Sequence, residues 1–246
     1  MSRTFGNQSP HDLHDGILLV DKPAGPTSHD IVDAVRKTFK LDKVGHGGTL
    51  DPQATGLLIL LVGKGTKLSN AMMSSDKTYE GTIRLGGSTD TQDSAGEILT
   101  SAPYEHIDQN TLQEMMNSFR GDQMQTPLMV SATKKNGVPL YKLARKGKTV
   151  ERDPKFIHVY KFVINEFGQP DSTFEVKCTK GTYVRTLCHD IGEKLGCGAH
   201  LAQLRRTQSG IFGLDESIPF AELLELSSTQ MLERIIPAHK VVRELS

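Results

Sequence analysis

The stretch GHGGTLDPQATG, residues 45–56, runs directly into LLILLVG, residues 57–63. A short apolar run that ends in glycine predicts a buried strand. The stretch before it is rich in glycine, which permits turns and close backbone approach, and it carries one imidazole, His46, and one carboxylate, Asp51. This composition predicts a ligand-facing loop that presents Asp51 at the mouth of a core strand.

Other interpretations of this loop can be weighed from its spacing. It lacks the pattern of glycine, four residues, glycine, lysine and Ser/Thr that marks a phosphate-binding P-loop. A single histidine does not make a metal-ligand cluster. Asp51 and Pro52, taken alone, are equally typical of a helix N-cap followed by a first-turn proline, so that alternative stays open at this point.

Length and cysteine usage bound the class of protein. With 246 residues, the chain is long enough for one sizeable domain or two small ones. Its three cysteines form no CxxC pair and no charged-then-apolar leader opens the chain, so we expect a cytoplasmic protein with reduced thiols. The longest apolar run is far below the roughly 20 residues of a membrane span, which predicts no membrane insertion.

One group of cysteine and histidine residues has the side-chain types that bind zinc. Cys188, His189, Cys197 and His200 lie close together in sequence. Their spacing fits no standard zinc pattern. We therefore expect no metal.

The charge is balanced overall but uneven along the chain. The 29 basic and 29 acidic side chains give a formal net charge of zero, which argues against a protein that coats nucleic acid nonspecifically. Basic side chains nevertheless cluster in one stretch: Lys134, Lys135, Lys142, Arg145, Lys146, Lys148, Arg152 and Lys155. Such a cluster is either a solvated face or a surface for an RNA backbone.

Secondary-structure signals mix without a regular alternation, which indicates the α+β class. Residues 1–14 are polar and aperiodic and predict a disordered tail. Periodicity predicts strands at residues 16–21, 57–63, 77–85, 156–165 and 173–179. It predicts a helix that Ser28 caps and that reaches Phe39, and further helices at residues 66–76, 108–119, 186–194 and 199–205.

Four ordered motifs resemble the TruB family of RNA pseudouridine synthases. They are the loop at residues 45–56, KTYE at 77–80, GGSTDTQD at 86–93 and KGTYVRT at 180–186. Two further stretches are similar to the same family: DKPAGPTS at 21–28, and LGCGAHL at 195–201 with Leu204-Arg205-Arg206. The resemblance extends over most of the chain.

The resemblance implies a pseudouridine synthase fold, with a mixed, mainly antiparallel central sheet flanked by helices. It implies one catalytic domain over residues 15–246, in which residues 127–155 form a thumb-like insertion that closes over RNA. Bacterial members usually continue into a small RNA-binding PUA domain. Because the sequence ends at Ser246, we expect a catalytic domain without a PUA domain.

The activity that the resemblance implies is isomerisation of the T-loop uridine, position 55 of tRNA, to pseudouridine. The expected partner is the T-arm stem-loop of tRNA, with no cofactor and no obligatory protein partner, and the enzyme is expected to be a monomer. Two alternatives are the catalytic subunit of a guide-RNA-dependent pseudouridylation particle and a non-catalytic RNA-binding or RNA-folding module. The first usually carries a PUA domain and basic extensions, and the second does not need a catalytic carboxylate.

The same resemblance carries roles onto individual residues. Asp51 would be the nucleophile or base, Arg185 would pair with it and orient it, and Tyr79 would pack on the target base and assist proton transfer at C5. Asp93 would support Arg185 and Tyr79 from behind, and His46 would fill the space that the extruded uridine leaves. The remaining substrate-binding residues would line the pocket or contact phosphate: Lys22, Lys180, Tyr183 and Leu204.

Overall fold

The computed structural model describes residues 15–128, 134–135, 137–139 and 150–244. They form two compact units: one holds the chain up to Ser75 and again from Gln208, and the other runs from Asp76 to Thr207. The predicted tail at residues 1–14 lies outside the described residues, as does most of the predicted insertion. The basic side chains of Lys142, Arg145, Lys146 and Lys148 lie outside them too.

The strands are numbered in chain order. They are β1 Gly16–Lys22, β2 Val44–His46, β3 Thr55–Val62, β4 Lys77–Leu85, β5 Gly87–Thr89, β6 Ile98–Ser101, β7 Gly121–Gln125, β8 Lys134–Lys135, β9 Val138–Pro139, β10 Lys155–Glu166, β11 Asp171–Cys178, β12 Ala199–Ser209, β13 Phe212–Gly213, β14 Ile218–Pro219 and β15 Ile236–Pro237.

The α-helices are α1 Ser28–Thr38, α2 Ser69–Ser74, α3 Gln109–Ser118, α4 Val184–Leu195, α5 Phe220–Glu225, α6 Ser228–Glu233 and α7 Ala238–Glu244. Two 3-10 turns lie at Gly63–Leu68 and Leu214–Glu216. The helix predicted over residues 66–76 is therefore a 3-10 turn followed by α2.

The first unit is built on β1 and β3. These strands pair antiparallel along the whole of β1, from Gly16 opposite Val62 to Lys22 opposite Gly56. β2 pairs antiparallel with β3, while β14 pairs parallel and β15 antiparallel with β1. Residues 57–62 are all buried, which explains why this strand is a continuous apolar run and not an alternating one.

The second unit is a sheet with the strand order β12-β4-β11-β10-β7. The pairs β4–β11, β11–β10 and β10–β7 are antiparallel. Side chains of α3 and α4, among them Leu112, Leu187 and Ile191, join side chains from these strands in one buried core. The first unit contributes the parallel pair of β1 with β14. Together with the antiparallel pairs and the helices packed on the strands, it confirms the prediction of an α+β fold with a mixed, mainly antiparallel sheet.

The helix cap predicted at Ser28 is wrong by one residue. Thr27 caps α1, because its side chain accepts a hydrogen bond from the Asp30 N–H while the Asp30 carboxylate accepts from the Thr27 N–H at 2.8 Å. This reciprocal arrangement is a capping box. Ser28 is the first helical residue, and its side chain is free to bond to a distant segment of the same unit.

The helix predicted over residues 199–205 is also wrong, because these residues begin the long strand β12. Gly196 and Gly198 adopt positive φ angles of 77° and 69°, which end α4 and turn the chain. The stretch then lies beside β4 in the sheet. Tertiary pairing of this kind overrides a weak local preference for helix.

The second unit contains buried cations in addition to its apolar core. Lys77, the first residue of β4, is 5% exposed, and Arg206 on β12 is 2% exposed. The pKa of the Lys77 ammonium is lowered to about 8, first by burial and then by the positive charge of Arg206, while Asp76 acts in the opposite direction. The charged form of Lys77 is therefore held in the fold at a cost.

We expect this cost to make stability depend on pH. Below about pH 8 the ammonium is charged in both the folded and the unfolded state, so its burial destabilises the fold fully. Between this folded pKa and the ordinary value of 10.5 the unfolded state binds more protons, so the free energy of unfolding rises with pH. In urea unfolding, the free energy of unfolding of wild type, measured relative to that of Lys77→Met, should rise by about 1–2 kcal/mol between roughly pH 7.5 and 9.5.

The matched control is Lys161→Met, because Lys161 is exposed on β10. Its stability should follow that of wild type across the same pH range. Unfolding curves for Lys77→Met that move in parallel with wild type would contradict the buried-ammonium argument.

Candidate active site

Asp51 lies in an exposed turn immediately before β3. The Ala54 N–H donates to the Asp51 carbonyl at 3.1 Å, which closes the turn, and β3 begins at Thr55. No helix follows Asp51, so the interpretation of Asp51 and Pro52 as a helix start is wrong. The predicted loop ahead of a buried strand is confirmed.

Lys22 holds this turn from within the first unit. Its side chain is fully buried, and its ammonium donates to the carbonyls of Pro23, Pro52 and Ala54 at 2.8, 3.0 and 2.7 Å. Hydrogen bonds from a charged group to backbone carbonyls are stronger than neutral ones. The Lys22 ammonium therefore fixes the turn that carries Asp51. Its expected role in lining the pocket or contacting phosphate stays a prediction.

Two further contacts fix the same turn. The Ser28 hydroxyl donates to the Leu50 carbonyl at 3.0 Å and accepts from the Leu50 N–H at 2.9 Å. The Gly25 N–H donates to the Pro52 carbonyl at 2.9 Å. The residues on both sides of Asp51 are thus bonded to the segment between β1 and α1, while the Asp51 side chain is left at the surface.

His46 is half-buried at the end of β2, in the same unit as Asp51. Its Nδ1 accepts from the Gly48 N–H at 3.4 Å. Gly47 lies so close to α2 that a Cβ atom there would meet the Met72 Cβ at 2.6 Å, and Gly48 has φ +144°. The glycines are required by this close approach and by this backbone conformation, as the sequence predicts.

Buried Arg185 and half-buried Asp93 form an ion pair in the second unit. Arg185 lies in the first turn of α4 and is 5% exposed, and its Nη1 donates to Asp93 Oδ2 at 3.3 Å. The Arg185 guanidinium also lies 5.7 Å from the ring centroid of Tyr183. Asp93 therefore contacts Arg185 directly, as the predicted supporting role requires.

The loop of residues 89–96 holds the Asp93 carboxylate in place. Oδ1 accepts from the Thr91 hydroxyl at 2.6 Å and from the Ala95 N–H at 3.0 Å, while the Thr89 hydroxyl donates to the Asp93 carbonyl at 2.7 Å. Gln92 adopts a left-handed backbone with φ +63°, which is uncommon for a residue other than glycine. These contacts leave Oδ2 directed at Arg185.

Tyr183 precedes α4, and its backbone is held by a residue that the sequence analysis does not single out. The Gln125 side chain, at the end of β7, donates to the Tyr183 carbonyl at 3.1 Å and accepts from the Tyr183 N–H at 2.7 Å. Ser28 and Gln125 act through hydrogen bonds to residues that are distant in the chain, whereas Thr91 bonds to Asp93, two residues away. Only Thr91 carries a local signal, as a Ser/Thr residue two positions before an aspartate.

The other predicted residues of the second unit lie on two strands and one turn. Tyr79 on β4 and Leu204 on β12 are half-buried and pack against the core of this unit. Lys180 is exposed in the turn between β11 and α4, where a side chain can meet solvent or a ligand. Lys77, two residues before Tyr79 on β4, is a buried cation close to Lys180.

The predicted site residues thus fall into two groups. Lys22, His46 and Asp51 belong to the first unit, and Lys22 and His46 both lie on strands that pair with β3. Tyr79, Asp93, Lys180, Tyr183, Arg185 and Leu204 belong to the second. Within the second unit the structure brings Arg185, Asp93 and Tyr183 together. The pairing of Arg185 with Asp51 stays a prediction.

The described residues contain neither a cluster of metal ligands nor a helix that could span a membrane. No group of three histidine, cysteine or acidic side chains within them is arranged to hold a metal ion. His200 Nδ1 donates to the Gly87 carbonyl at 2.8 Å, and Cys188 and Cys197 are buried. No helix in the described part of the chain is long and apolar enough to cross a membrane.

Comparison with known families matches residues 36–242, which include most of both units. Residues 36–184 match the N-terminal domain of the TruB family pseudouridylate synthases. Residues 185–242 match the C-terminal domain of tRNA pseudouridylate synthase B. The boundary between the two matches falls at Arg185.

Curated relatives are similar over most of the chain. The tRNA pseudouridine synthase B of Opitutus terrae is 50% identical over 231 residues, which cover 94% of this chain and 96% of that protein. The protein of the same name from Geobacter sulfurreducens is 47% identical and covers 90% of this chain and 73% of its own length.

Solved structures agree on the fold. A Cbf5-Nop10-Gar1 complex matches with a TM-score of 0.74 and 29% identity over 95% of this chain, which spans 63% of the matched chain. An H/ACA RNP bound to a substrate RNA containing 2'-deoxyuridine matches with a TM-score of 0.71 and 27% identity over 95% of this chain and 62% of that one. Together with the matched family domains and relatives of up to 50% identity, the fold and site geometry show that this chain belongs to the TruB family of pseudouridylate synthases.

Proposed function

We propose that this protein is a tRNA pseudouridine synthase that converts uridine 55 in the T-loop of tRNA to pseudouridine. The observation that carries the proposal is the ion pair of buried Arg185 with Asp93, together with the exposed, rigidly held Asp51. Relatives of up to 50% identity carry the name tRNA pseudouridine synthase B. The reaction takes place in the cytoplasm, on a substrate that is the T-arm stem-loop.

The isomerisation exchanges one bond of the nucleoside for another. The bond between ribose C1' and uracil N1 breaks, the base turns, and a bond between C1' and C5 forms. The proton on C5 leaves to solvent and N1 gains a proton, so nothing is oxidised or reduced. The chemistry needs no redox cofactor, and one ionised carboxylate is able to start it.

Asp51 supplies that carboxylate. Its side chain is exposed, while the backbone around it is fixed by Lys22, Ser28 and Gly25. A carboxylate presented by a rigid turn reaches its target with little loss of conformational freedom. Arg185 orients Asp51 in the complex, and Tyr79 packs on the flipped base and assists proton transfer at C5.

The target base must leave the stacked T-loop before it can react. Extrusion costs a few kcal/mol of stacking, and a side chain that fills the gap recovers part of this cost. His46 is half-buried at the end of β2, and its imidazole fills that space. Lys180, Tyr183 and Leu204 line the pocket that receives the uracil, and residues 127–155 close over the RNA.

One alternative has a specific observation in its favour. The Cbf5-Nop10-Gar1 complex, which matches this chain in fold, contains the proteins Nop10 and Gar1 beside Cbf5. A guide-RNA-dependent catalytic subunit would share this fold. Sequence identity is 29% to that structure and 50% to the tRNA pseudouridine synthase B of Opitutus terrae. We therefore favour a monomeric enzyme that acts without a guide or a protein partner.

The first test is tritium release from C5-labelled uridine in unmodified tRNA, with purified protein and no guide RNA, partner or added cofactor. Wild type should release tritium from position 55. Asp51→Asn should lower the single-turnover rate by at least roughly 1,000-fold, because the amide keeps the shape of the carboxylate and loses its charge and nucleophilicity. Its affinity for tRNA should stay within a few fold of wild type.

Asp42→Asn is the control for this test, since Asp42 is exposed in the loop before β2. It should release tritium at the wild-type rate. Release that depends on an added guide RNA would favour the particle subunit, and an Asp51→Asn rate within tenfold of wild type would overturn the assignment of Asp51.

The second test concerns the geometry of the ion pair between Arg185 and Asp93. Arg185→Lys keeps the charge but loses the planar fork that contacts a carboxylate at a fixed angle. We expect the single-turnover rate to fall by roughly 100-fold at saturating tRNA, a typical effect of removing one oriented donor from an active site. Thermal unfolding should show that the variant remains folded.

The control for this substitution is Arg36→Lys on α1. Arg36 pairs with Asp33 at 3.1 Å on the surface, where exchange of one cation for another has little effect. A near-normal rate for Arg185→Lys would mean that the orientation of Arg185 is not required for the reaction.

A further inference from the structure

Gln125 is the last residue of β7 and one of the buried polar side chains of the second unit, with 5% exposure. Both ends of its amide bond to one backbone unit: Nε2 donates to the Tyr183 carbonyl, and Oε1 accepts from the Tyr183 N–H. The side chain thus pairs with Tyr183 as a neighbouring strand would. Such a two-point contact fixes both position and orientation.

Tyr183 is the N-cap residue of α4, and its own side chain makes no capping hydrogen bond. Its carbonyl accepts from the Thr186 N–H at 3.1 Å and the Leu187 N–H at 3.2 Å, which are the first hydrogen bonds of the helix. Gln125 adds a third donor to this carbonyl and satisfies the Tyr183 N–H. The path by which the chain enters α4 is therefore set by a side chain from β7.

Arg185 follows two residues after Tyr183, in the first turn of α4. Its guanidinium must meet Asp93, which the loop of residues 89–96 holds independently. A shift of the helix start would move Arg185 away from a carboxylate that cannot follow. The contact between Gln125 and Tyr183 thus helps to set the distance between Arg185 and Asp93.

Gln125 also lies at the root of the chain segment that connects β7 to β10. It pairs with Lys155 of β10, and the Arg152 guanidinium donates to the Pro127 carbonyl at 3.2 Å. Both ends of the connecting segment are therefore held together next to Gln125. The same residue joins this root to the turn that carries Arg185.

We propose that Gln125 is a positioning residue for the reaction: by holding the backbone of Tyr183, it sets the placement of Arg185 and links it to the root of the β7–β10 connection. The inference rests on the proposed function for its catalytic consequence. The structural consequence, a fixed start of α4, is independent of that function.

The chain offers a matched control on the same strand. Gln123 is two residues before Gln125, so it projects on the same side of β7, and its Nε2 donates to the Phe119 carbonyl at 2.5 Å. It makes no hydrogen bond to Tyr183 among the contacts of the described residues. Gln123→Met and Gln125→Met therefore make the same chemical change on one strand, and only the second removes the two hydrogen bonds to the Tyr183 backbone.

The experiment measures single-turnover tritium release at saturating T-arm RNA for wild type, Gln123→Met and Gln125→Met. We expect Gln125→Met to lower the rate by roughly tenfold or more, with an RNA dissociation constant within about threefold of wild type. Gln123→Met should stay within about twofold of wild type in both quantities. Equal rates for the two variants would overturn the proposal.

Hydrogen exchange of the amides of residues 183–187 supplies a readout that does not depend on activity. Exchange there should be faster in Gln125→Met than in Gln123→Met, while exchange in the core strand β4 stays equal in both. Equal protection at residues 183–187 would also overturn the proposal. If wild type releases no tritium, the proposed function fails, and the exchange comparison still decides the positioning role.

Gln125→Glu covers the case in which Gln125→Met does not fold. This variant keeps the shape of the side chain and the oxygen that accepts from the Tyr183 N–H, but it has no donor for the Tyr183 carbonyl. We expect the same loss of rate with little change in RNA affinity. A wild-type rate for Gln125→Glu would show that the second hydrogen bond is not needed.

Discussion

A buried guanidinium needs a partner, and the second unit is arranged around this constraint. An unpaired charge in a protein interior is far more costly than a paired one, so the 5% exposure of Arg185 requires a carboxylate beside it. Asp93 meets this need from a loop 92 residues away in the chain. The loop in turn orients Asp93 with a hydroxyl from Thr91 and an N–H from Ala95, which leaves one carboxylate oxygen for Arg185.

The first unit also contains a buried cation, Lys22, which is stabilised by neutral backbone carbonyls. Lys22 is fully buried, and among its contacts are three backbone carbonyls. Two of these belong to the turn that carries Asp51, so the cation is used to fix that turn. A lysine suits this place because its ammonium directs three donors to separate acceptors, whereas the flat fork of arginine suits the carboxylate of Asp93.

Much of this fold follows from local patterns. The continuous apolar run of residues 57–62 identifies β3, and the alternation from Lys77 to Leu85 identifies β4 with its observed bounds. The helix predicted over residues 108–119 is α3, with Asp108 as its N-cap. The error at residues 199–205 has a physical cause: β12 is a strand because of its neighbours in the sheet, and neighbours are not written in a short window of sequence.

The candidate site is predictable to a different extent at each residue. Asp51, Tyr79 and Arg185 stand in motifs, since the chemistry requires a particular side chain in each place. Gln125 lies in no motif, and although Ser28 ends the stretch at residues 21–28, neither residue reveals its partner, which is Leu50 for Ser28 and Tyr183 for Gln125, 22 and 58 residues away.

Their partners explain why. Both side chains bond to the backbone, and every residue except proline offers the same N–H and the same carbonyl. A contact of this kind leaves no complementary side chain at the other end that a sequence pattern could reveal. Residues whose own side-chain chemistry is required, including the supporting Asp93, are therefore visible in the sequence. Residues such as Gln125, which act on a distant backbone, become visible only when the fold brings the two segments together.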